Sequence, residues 1–298
     1  MSRRGPPAER DPAALLDFGV VPLDKPAGPT SHQVSAWVRD LAGVERAAHA
    51  GTLDPKVTGC LPVLTGDATR LAAALVGRKA YVAVLQLHAD PPADLADVFA
   101  AFVGPVYQKP PRKSAVARRL RVRELHALEP LEVDGRRVLL RVECEAGTYV
   151  RKLCHDLGLV LGTGAHMGDL RRVAATPFDD ADLVTLHDLA DALADWRETG
   201  DDGPLRAVVQ PAERALTHLP TVTIAPSAAD QVAHGAPVYA PGVIAVDERA
   251  RAAVEAPAGE PPLVVCLTPD GGAVCLGRLT GDPDATSGVV VDLERVLV

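Results

Sequence analysis

The seven residues His49-Ala50-Gly51-Thr52-Leu53-Asp54-Pro55 constrain this chain more than any other stretch. Gly51 tolerates backbone geometry that other residues resist, Pro55 fixes its own φ, and a following proline biases Asp54 away from helix. The chain must turn here, on a stiff loop that carries one carboxylate with an imidazole five residues before it. A scaffold can aim such a side chain at a substrate. An Asp before Pro also serves as a turn or helix cap, and the heptapeptide alone fits both readings equally.

Around this loop the periodicities are mixed. Tyr81–Leu87 (YVAVLQL) and Val138–Cys144 read as strands. After Gly147, apolar residues Val150, Leu153, Leu157, Val160 and Leu161 recur at three- and four-residue intervals. That spacing predicts an amphipathic helix, with Thr148 available as a cap and Arg151 and His155 on a face away from the apolar one. Leu186 to Trp196 predicts another helix. Strands and helices that do not alternate regularly fit an α+β sheet domain better than a doubly wound one. Composition shifts near Leu216–Pro220. Beyond it, Thr221–Ile224, Val243–Val246, Leu263–Leu267, Ala273–Leu279 and Val289–Leu293 are short β-like runs separated by turn residues, the pattern of a small β-barrel.

A length of 298 residues leaves room for about two domains, and 47% hydrophobic with 23% charged residues fits a globular chain. No apolar run approaches the roughly 20 residues that span a bilayer, so no membrane association is expected. The N-terminus, MSRRGPPAERDP, has no signal-peptide core and is expected to be a flexible tail over residues 1–18. Cys60, Cys144, Cys154, Cys266 and Cys275 form no CxxC pair and are odd in number, which favours reduced thiols in the cytoplasm over disulfides or zinc.

Charge points two ways. The net charge is −8, with Asp over Glu by 26 to 13 and Arg over Lys by 25 to 6. This bias suits a salty cytoplasm, where a Debye length of about 3 Å at molar salt mutes long-range repulsion of phosphates. Yet Lys109, Arg112, Lys113, Arg118, Arg119, Arg121 and Arg123 fall within fifteen residues that hold no acid. Arg119, Arg121 and Arg123 alternate with Leu120 and Val122, predicting a strand with one apolar and one arginine face. In so acidic a chain, such a stripe is better read as a phosphate-facing surface than as a solvated one.

The run HAGTLDPKVTGCLPVLTGDATR (His49 to Arg70) resembles the catalytic segment of the TruB/dyskerin family of pseudouridine synthases. Further matches follow in order: LDKPAGPTSH (Leu23 to His32), GRKAYVAVLQL (Gly77 to Leu87), YQKPPRKSAVARRLRVREL (Tyr107 to Leu125), AGTYVRKLCHDLG (Ala146 to Gly158) and GTGAHMGDLRR (Gly162 to Arg172). TGCL, QKPPRKSAV and TLHDLADAL resemble the archaeal and eukaryotic dyskerin branch, whose members are H/ACA catalytic subunits. SAADQVAHGAPVYAPGV (Ser227 to Val243) is similar to a PUA RNA-binding module. The resemblance implies an α+β fold: a mixed, largely antiparallel-sheet catalytic domain over 19–215 and a C-terminal PUA β-barrel over 216–298.

The resemblance further implies an RNA pseudouridine synthase, an isomerase that needs no cofactor. Asp54 matches the family's catalytic carboxylate, Arg151 its arginine partner and Tyr81 its active-site tyrosine. His49 matches a histidine that places the flipped nucleotide; Tyr149 and Leu170 match positions lining the base pocket. Arg119 and Arg121, with Gly235 in the PUA-like segment, are candidate RNA contacts. No paired spacing supports a metal at His49, so none is expected. The implied partners are an H/ACA guide RNA, substrate RNA (rRNA, and in the alternative tRNA) and the other H/ACA particle proteins. Three other readings remain: guide-independent modification of the tRNA T-loop, an RNA-binding scaffold without chemistry, and a carboxylate-based nucleoside hydrolase or glycosylase, which would release free base and leave the PUA-like segment unexplained. GTGAHMG lacks the GxGxxG spacing, so a dinucleotide site is not expected.

Overall fold

The computed structural model describes residues 4–110, 117–255 and 260–298. Two sheets organise it. The larger has ten strands, and its main path runs Gln210–Pro211, Phe18–Lys25, Thr58–Gly66, Ala165–Ala175, Lys79–Leu87, Arg137–Cys144, Arg121–Asp134, Gly104–Gln108. Ala47–His49 and Phe178–Asp179 pair off that path. Only Thr58–Gly66 against Ala165–Ala175 runs parallel among these named strand pairs. The expected largely antiparallel α+β architecture is what the chain adopts.

Phe18–Lys25 and Thr58–Gly66 are buried at almost every position because both faces of the sheet are covered. Side chains alternate, so Val21, Leu23, Leu61 and Val63 enter one core, under the helices Ser31–Ala42, Val150–Val160 and Leu186–Thr199. Phe18, Val20, Cys60 and Leu64 enter another. Ser31–Ala42 starts in a Thr30/Gln33 capping box, and Leu186–Thr199 in a Thr185/Asp188 one.

Thr221–Ile224, Val238–Tyr239, Val243–Val246, Leu263–Leu267, Ala273–Leu279 and Val289–Val296 form a six-stranded, near-closed barrel with its own core. Five of these strands coincide with runs legible in the sequence. The barrel is not tethered loosely: Val265, Ala273, Leu276 and Leu297 share the second core with Phe18, Leu64 and Leu71 of the larger sheet's side.

The N-terminal segment corrects the sequence-based expectation of a flexible tail. From Arg4 onward it packs. Arg10 is buried and grips Glu213 through two hydrogen bonds of 2.8 and 2.6 Å, while Glu213 also accepts from the Ala273 amide at 3.0 Å. Arg4 donates to the Leu297 carbonyl, Asp17 and Asp67, and its guanidinium lies 4.3 Å from the Phe18 ring centroid. The helix Pro12–Asp17, capped by Asp11, buries Leu15 and Leu16. Arg4 and Arg10, two of the charges that made this segment look solvated, are paired with distant partners. Residues 1–3 lie outside the described residues. No helix of the described residues is long and apolar enough to cross a membrane.

Removing one partner of a buried ion pair leaves the other uncompensated, at a cost of about 3–5 kcal/mol. Glu213→Ala is therefore expected to lower unfolding free energy in urea by that order, and the Arg10→Met, Glu213→Leu pair by much less. Equal losses in the two proteins would contradict the assignment.

Candidate active site

The loop carrying Asp54 is held from three directions. Lys25, fully buried at the end of its strand, donates to the carbonyls of Pro26, Pro55 and Val57 at 2.9, 3.0 and 2.9 Å. Ser31, in the first turn of its helix, donates to the Leu53 carbonyl at 3.0 Å and accepts from the Leu53 amide at 2.8 Å. Arg172 donates to the Gly51 carbonyl at 3.0 Å and the Cys60 carbonyl at 2.7 Å. Gly51 has φ +89°, a conformation that L side chains resist. Gly59, with φ +97°, lets the chain pass so close to Arg172 that a Cβ would lie 2.2 Å from its carbonyl oxygen. The residues on both sides of Asp54 are thus fixed by groups distant in sequence, and the carboxylate is left free to face outward.

It faces a cleft of about 520 Å³. Asp54, Tyr81, Tyr149, Arg151 and Leu170 all line it, together with Lys79, Met167 and Arg172. Asp54 and Arg151 form an ion pair at the rim, with side chains 54% and 45% exposed. Tyr81 is buried below them in the larger core. Burial pushes its phenol pKa up, so the ring is neutral around pH 7, although a hydrogen bond with Arg172 works the other way. Helix Val150–Val160 brings Arg151 to the rim in its first turn. Its N-cap is Tyr149, not Thr148, whose hydroxyl bonds the Glu145 carbonyl instead.

Sequence reasoning missed four residues that set this geometry. Lys25, Ser31 and Arg172 hold the loop. Gln108, also buried, accepts from the Tyr149 amide at 2.8 Å and donates to the Tyr149 carbonyl at 3.3 Å, tying an edge strand to the helix start. All four lie inside recognisable motifs. For Lys25 the only signal was a charged residue at the end of a largely apolar strand, FGVVPLDK, and its partners Pro55 and Val57 lie far away in sequence.

The floor of the cleft is cationic. Lys79 and Arg172 are both buried, on adjacent strands. Burial, then the Arg172 guanidinium, pulls the Lys79 ammonium down to about 8. Cys60 and Cys144 nearby are pushed up to about 11 by burial and stay protonated.

His49 lies elsewhere. It lines a neighbouring hollow of about 290 Å³ with His32, Ser35 and Arg39, and its ring meets His32 edge-on at 4.8 Å. Both ring nitrogens are buried without a hydrogen-bond partner, and burial lowers its pKa. The arginine stripe is also arranged differently from expectation. The strand begins at Arg121, Arg119 precedes it exposed, and Leu120 and Val122 face solvent while Arg121 and Arg123 are half-buried. Arg123 pairs with Glu145 at 2.8 Å and lies against Gly147, a residue of the cleft wall. Arg112 and Lys113 lie outside the described residues. Gly235, with φ +92°, lies in the turn that follows the helix Pro226–Ala233.

Three family models match: TruB family pseudouridylate synthase (N-terminal domain) over residues 39–94, tRNA pseudouridylate synthase B C-terminal domain over 151–217, and the DKCLD domain over 4–35. A probable tRNA pseudouridine synthase B of Halobacterium salinarum is 68% identical over the whole of both chains. That of Haloarcula marismortui is 61% identical over 100% of this chain and 94% of its own. The chain belongs to the TruB family of pseudouridine synthases. Among solved structures, one of a Cbf5-Nop10-Gar1 complex matches at TM-score 0.90 and 44% identity, covering 98% of this chain and 89% of that one. A chain in an H/ACA RNP bound to a substrate RNA containing 2′-deoxyuridine matches at TM-score 0.88 and 42% identity, covering 98% and 89%. As a pseudouridine synthase, the protein detaches uracil from C1′ of a uridine and rejoins it through C5.

Two expectations follow for this synthase. Ser31→Ala orphans the Leu53 amide and carbonyl, so stability is expected to fall by about 2 kcal/mol and the Leu53 amide to exchange faster; unchanged exchange would contradict the clamp. Lys79 titrates near 8 when folded and near 10.5 when unfolded. Between those values the unfolded chain binds more protons, so its contribution to stability rises with pH. Melting of the wild type minus that of Lys79→Met is therefore expected to become more favourable from pH 7 to 9, and a flat difference would refute the buried charge.

Proposed function

We propose that this pseudouridine synthase is the catalytic subunit of an H/ACA guide-RNA particle and isomerises uridines of rRNA. The observation that carries this reading is the likeness over 98% of the chain, C-terminal barrel included, to chains solved with Nop10, Gar1 and RNA. Guide pairing then supplies sequence choice, so the chain needs little base readout of its own. The C-terminal barrel, around Gly235, acts as a PUA module that holds the guide. Arg119 and Arg121 contact phosphates beside the cleft, which reconciles RNA binding with a net charge of −8. The relatives' name, tRNA pseudouridine synthase B, favours a second reading in which the chain also modifies bare tRNA.

In this reading the target nucleotide leaves its stack and enters the cleft, at a cost of a few kcal/mol offset by stacking. His49, with both nitrogens unpaired in the adjoining hollow, supports the displaced strand. Tyr81, Tyr149 and Leu170 enclose the base. Asp54 meets the sugar, attacking C1′ or removing the C2′ proton. Both routes place positive character on the ribose, which an ionised carboxylate stabilises. Arg151 holds Asp54 in place through the ion pair.

The experiment supplies RNA tritiated at uridine C5, with and without a guide RNA and the small partner proteins. Guide-dependent release of tritium is expected. Asp54→Asn is expected to lower turnover by at least about 10³-fold with RNA affinity unchanged, because the carboxylate acts on developing charge. Release from bare tRNA alone favours the second reading. Normal turnover by Asp54→Asn removes the residue from the mechanism.

A further inference from the structure

Lys79 and Arg172 form the unusual feature of the cleft. Both are buried, at 6% and 2% exposure, and both line it. They converge under the catalytic loop: a Cβ on Gly51 would lie 3.4 Å from Nη1 of Arg172 and 4.0 Å from Cε of Lys79. Their partners are neutral. Lys79 donates to the Leu75 carbonyl at 3.2 Å, and Arg172 to the carbonyls of Cys60 and Gly51 and to the Tyr81 hydroxyl. Among the described residues no carboxylate pairs with either cation. Two like charges out of water without a counter-charge oppose folding. An anion entering the cleft would relieve that cost.

We propose that Lys79, backed by Arg172, stabilises the uracil anion that exists after the base leaves C1′ and before C5 attacks. When the N1–C1′ bond breaks, its electron pair departs with the base. Negative charge then develops on N1 and spreads to O2 and O4, while C1′ turns electron-poor toward Asp54. The ring turns, C5 donates a pair to C1′, the C5 proton passes to water, and N1 takes a proton from water, so that the product is neutral. Uracil must remain in the cleft throughout, and a fixed cation there acts on the charge as it forms. Depth selects the base over a phosphate. Lys79 is two residues from Tyr81 on the same strand face, at the floor, whereas the exposed rim with Asp54 and Arg151 is where a polyanionic backbone runs.

This inference rests on the pseudouridine synthase reaction, not on guide dependence. Wild type is therefore run in parallel on whichever RNA it modifies; an inert wild type would fail that earlier reading and not this one. Single-turnover cleavage is measured with uridine and with 5-fluorouridine at the target, whose base carries the anion more easily. For Lys79→Met the uridine rate is expected to fall about 100-fold, with RNA affinity within about twofold. The deficit is expected to shrink below about tenfold for 5-fluorouridine, and Lys79→Arg to stay within about tenfold of wild type on both. The ratio of the two bases is taken within one protein, so a partly unfolded preparation does not distort it. Lys79→Gln serves if the methionine variant does not fold. Equal deficits on both bases overturn the proposal. So does weakened RNA binding with an unchanged rate at saturation, which marks a phosphate contact.

Discussion

Everything at this site depends on holding one loop still. An aspartate in a glycine- and proline-bounded turn has no intrinsic direction, and the backbone polar groups beside it must find partners when the loop is packed. Here they find Lys25, Ser31 and Arg172, from a strand end, a helix start and a distant strand. A buried ammonium is costly unless its hydrogens are satisfied. Lys25 meets that condition with three carbonyls, two of which closely follow Asp54 in the chain. The group that would destabilise the core on its own becomes the reason the loop has a single shape.

The sheet makes those directions possible. Phe18–Lys25 and Thr58–Gly66 are paired through eight residues, Phe18↔Gly66 to Lys25↔Gly59, so Lys25 and the end of the loop are fixed in register. A slip by one residue would exchange the two cores that their alternating side chains serve. Arg172 lies opposite Gly59 on one side and Tyr81 on the other, which makes one residue common to the loop and the cleft floor. Asp54 and Arg151 at the rim are exposed; the groups that fix the loop are not. Such a division suits the role proposed for Asp54, in which a bulky polymer is admitted and one carboxylate is still placed within fractions of an ångström.

Much of this was legible in the sequence because it is local. The loop announces itself through Gly51 and Pro55, the barrel strands through period-two runs, and the helix after Gly147 through Val150, Leu153 and Leu157. The resemblance of several ordered motifs supplied Asp54, Tyr81, Arg151, Tyr149 and Leu170, which the structure gathers into one cleft. What failed to show is long-range. Arg10 and Glu213 are 203 positions apart, so no local pattern distinguished their pairing from a charged tail. Leu120 and Val122 have the alternation of a buried face, yet Leu120 precedes the strand, and the strand pairs with the edge strand Gly104–Gln108 with Val122 exposed. Alternation tells which residues share a face and not which face is covered.

The most direct test is a structure of the protein with a substrate RNA carrying a non-cleavable uridine analogue at the target. The account predicts the base inside the cleft against Tyr81 and Leu170, an Asp54 carboxylate oxygen within about 3.5 Å of the C1′–C2′ edge of the ribose, and the Lys25, Ser31 and Arg172 contacts to the loop intact. A nucleotide bound outside the cleft, or a loop rebuilt so that Asp54 turns from the sugar, would contradict it.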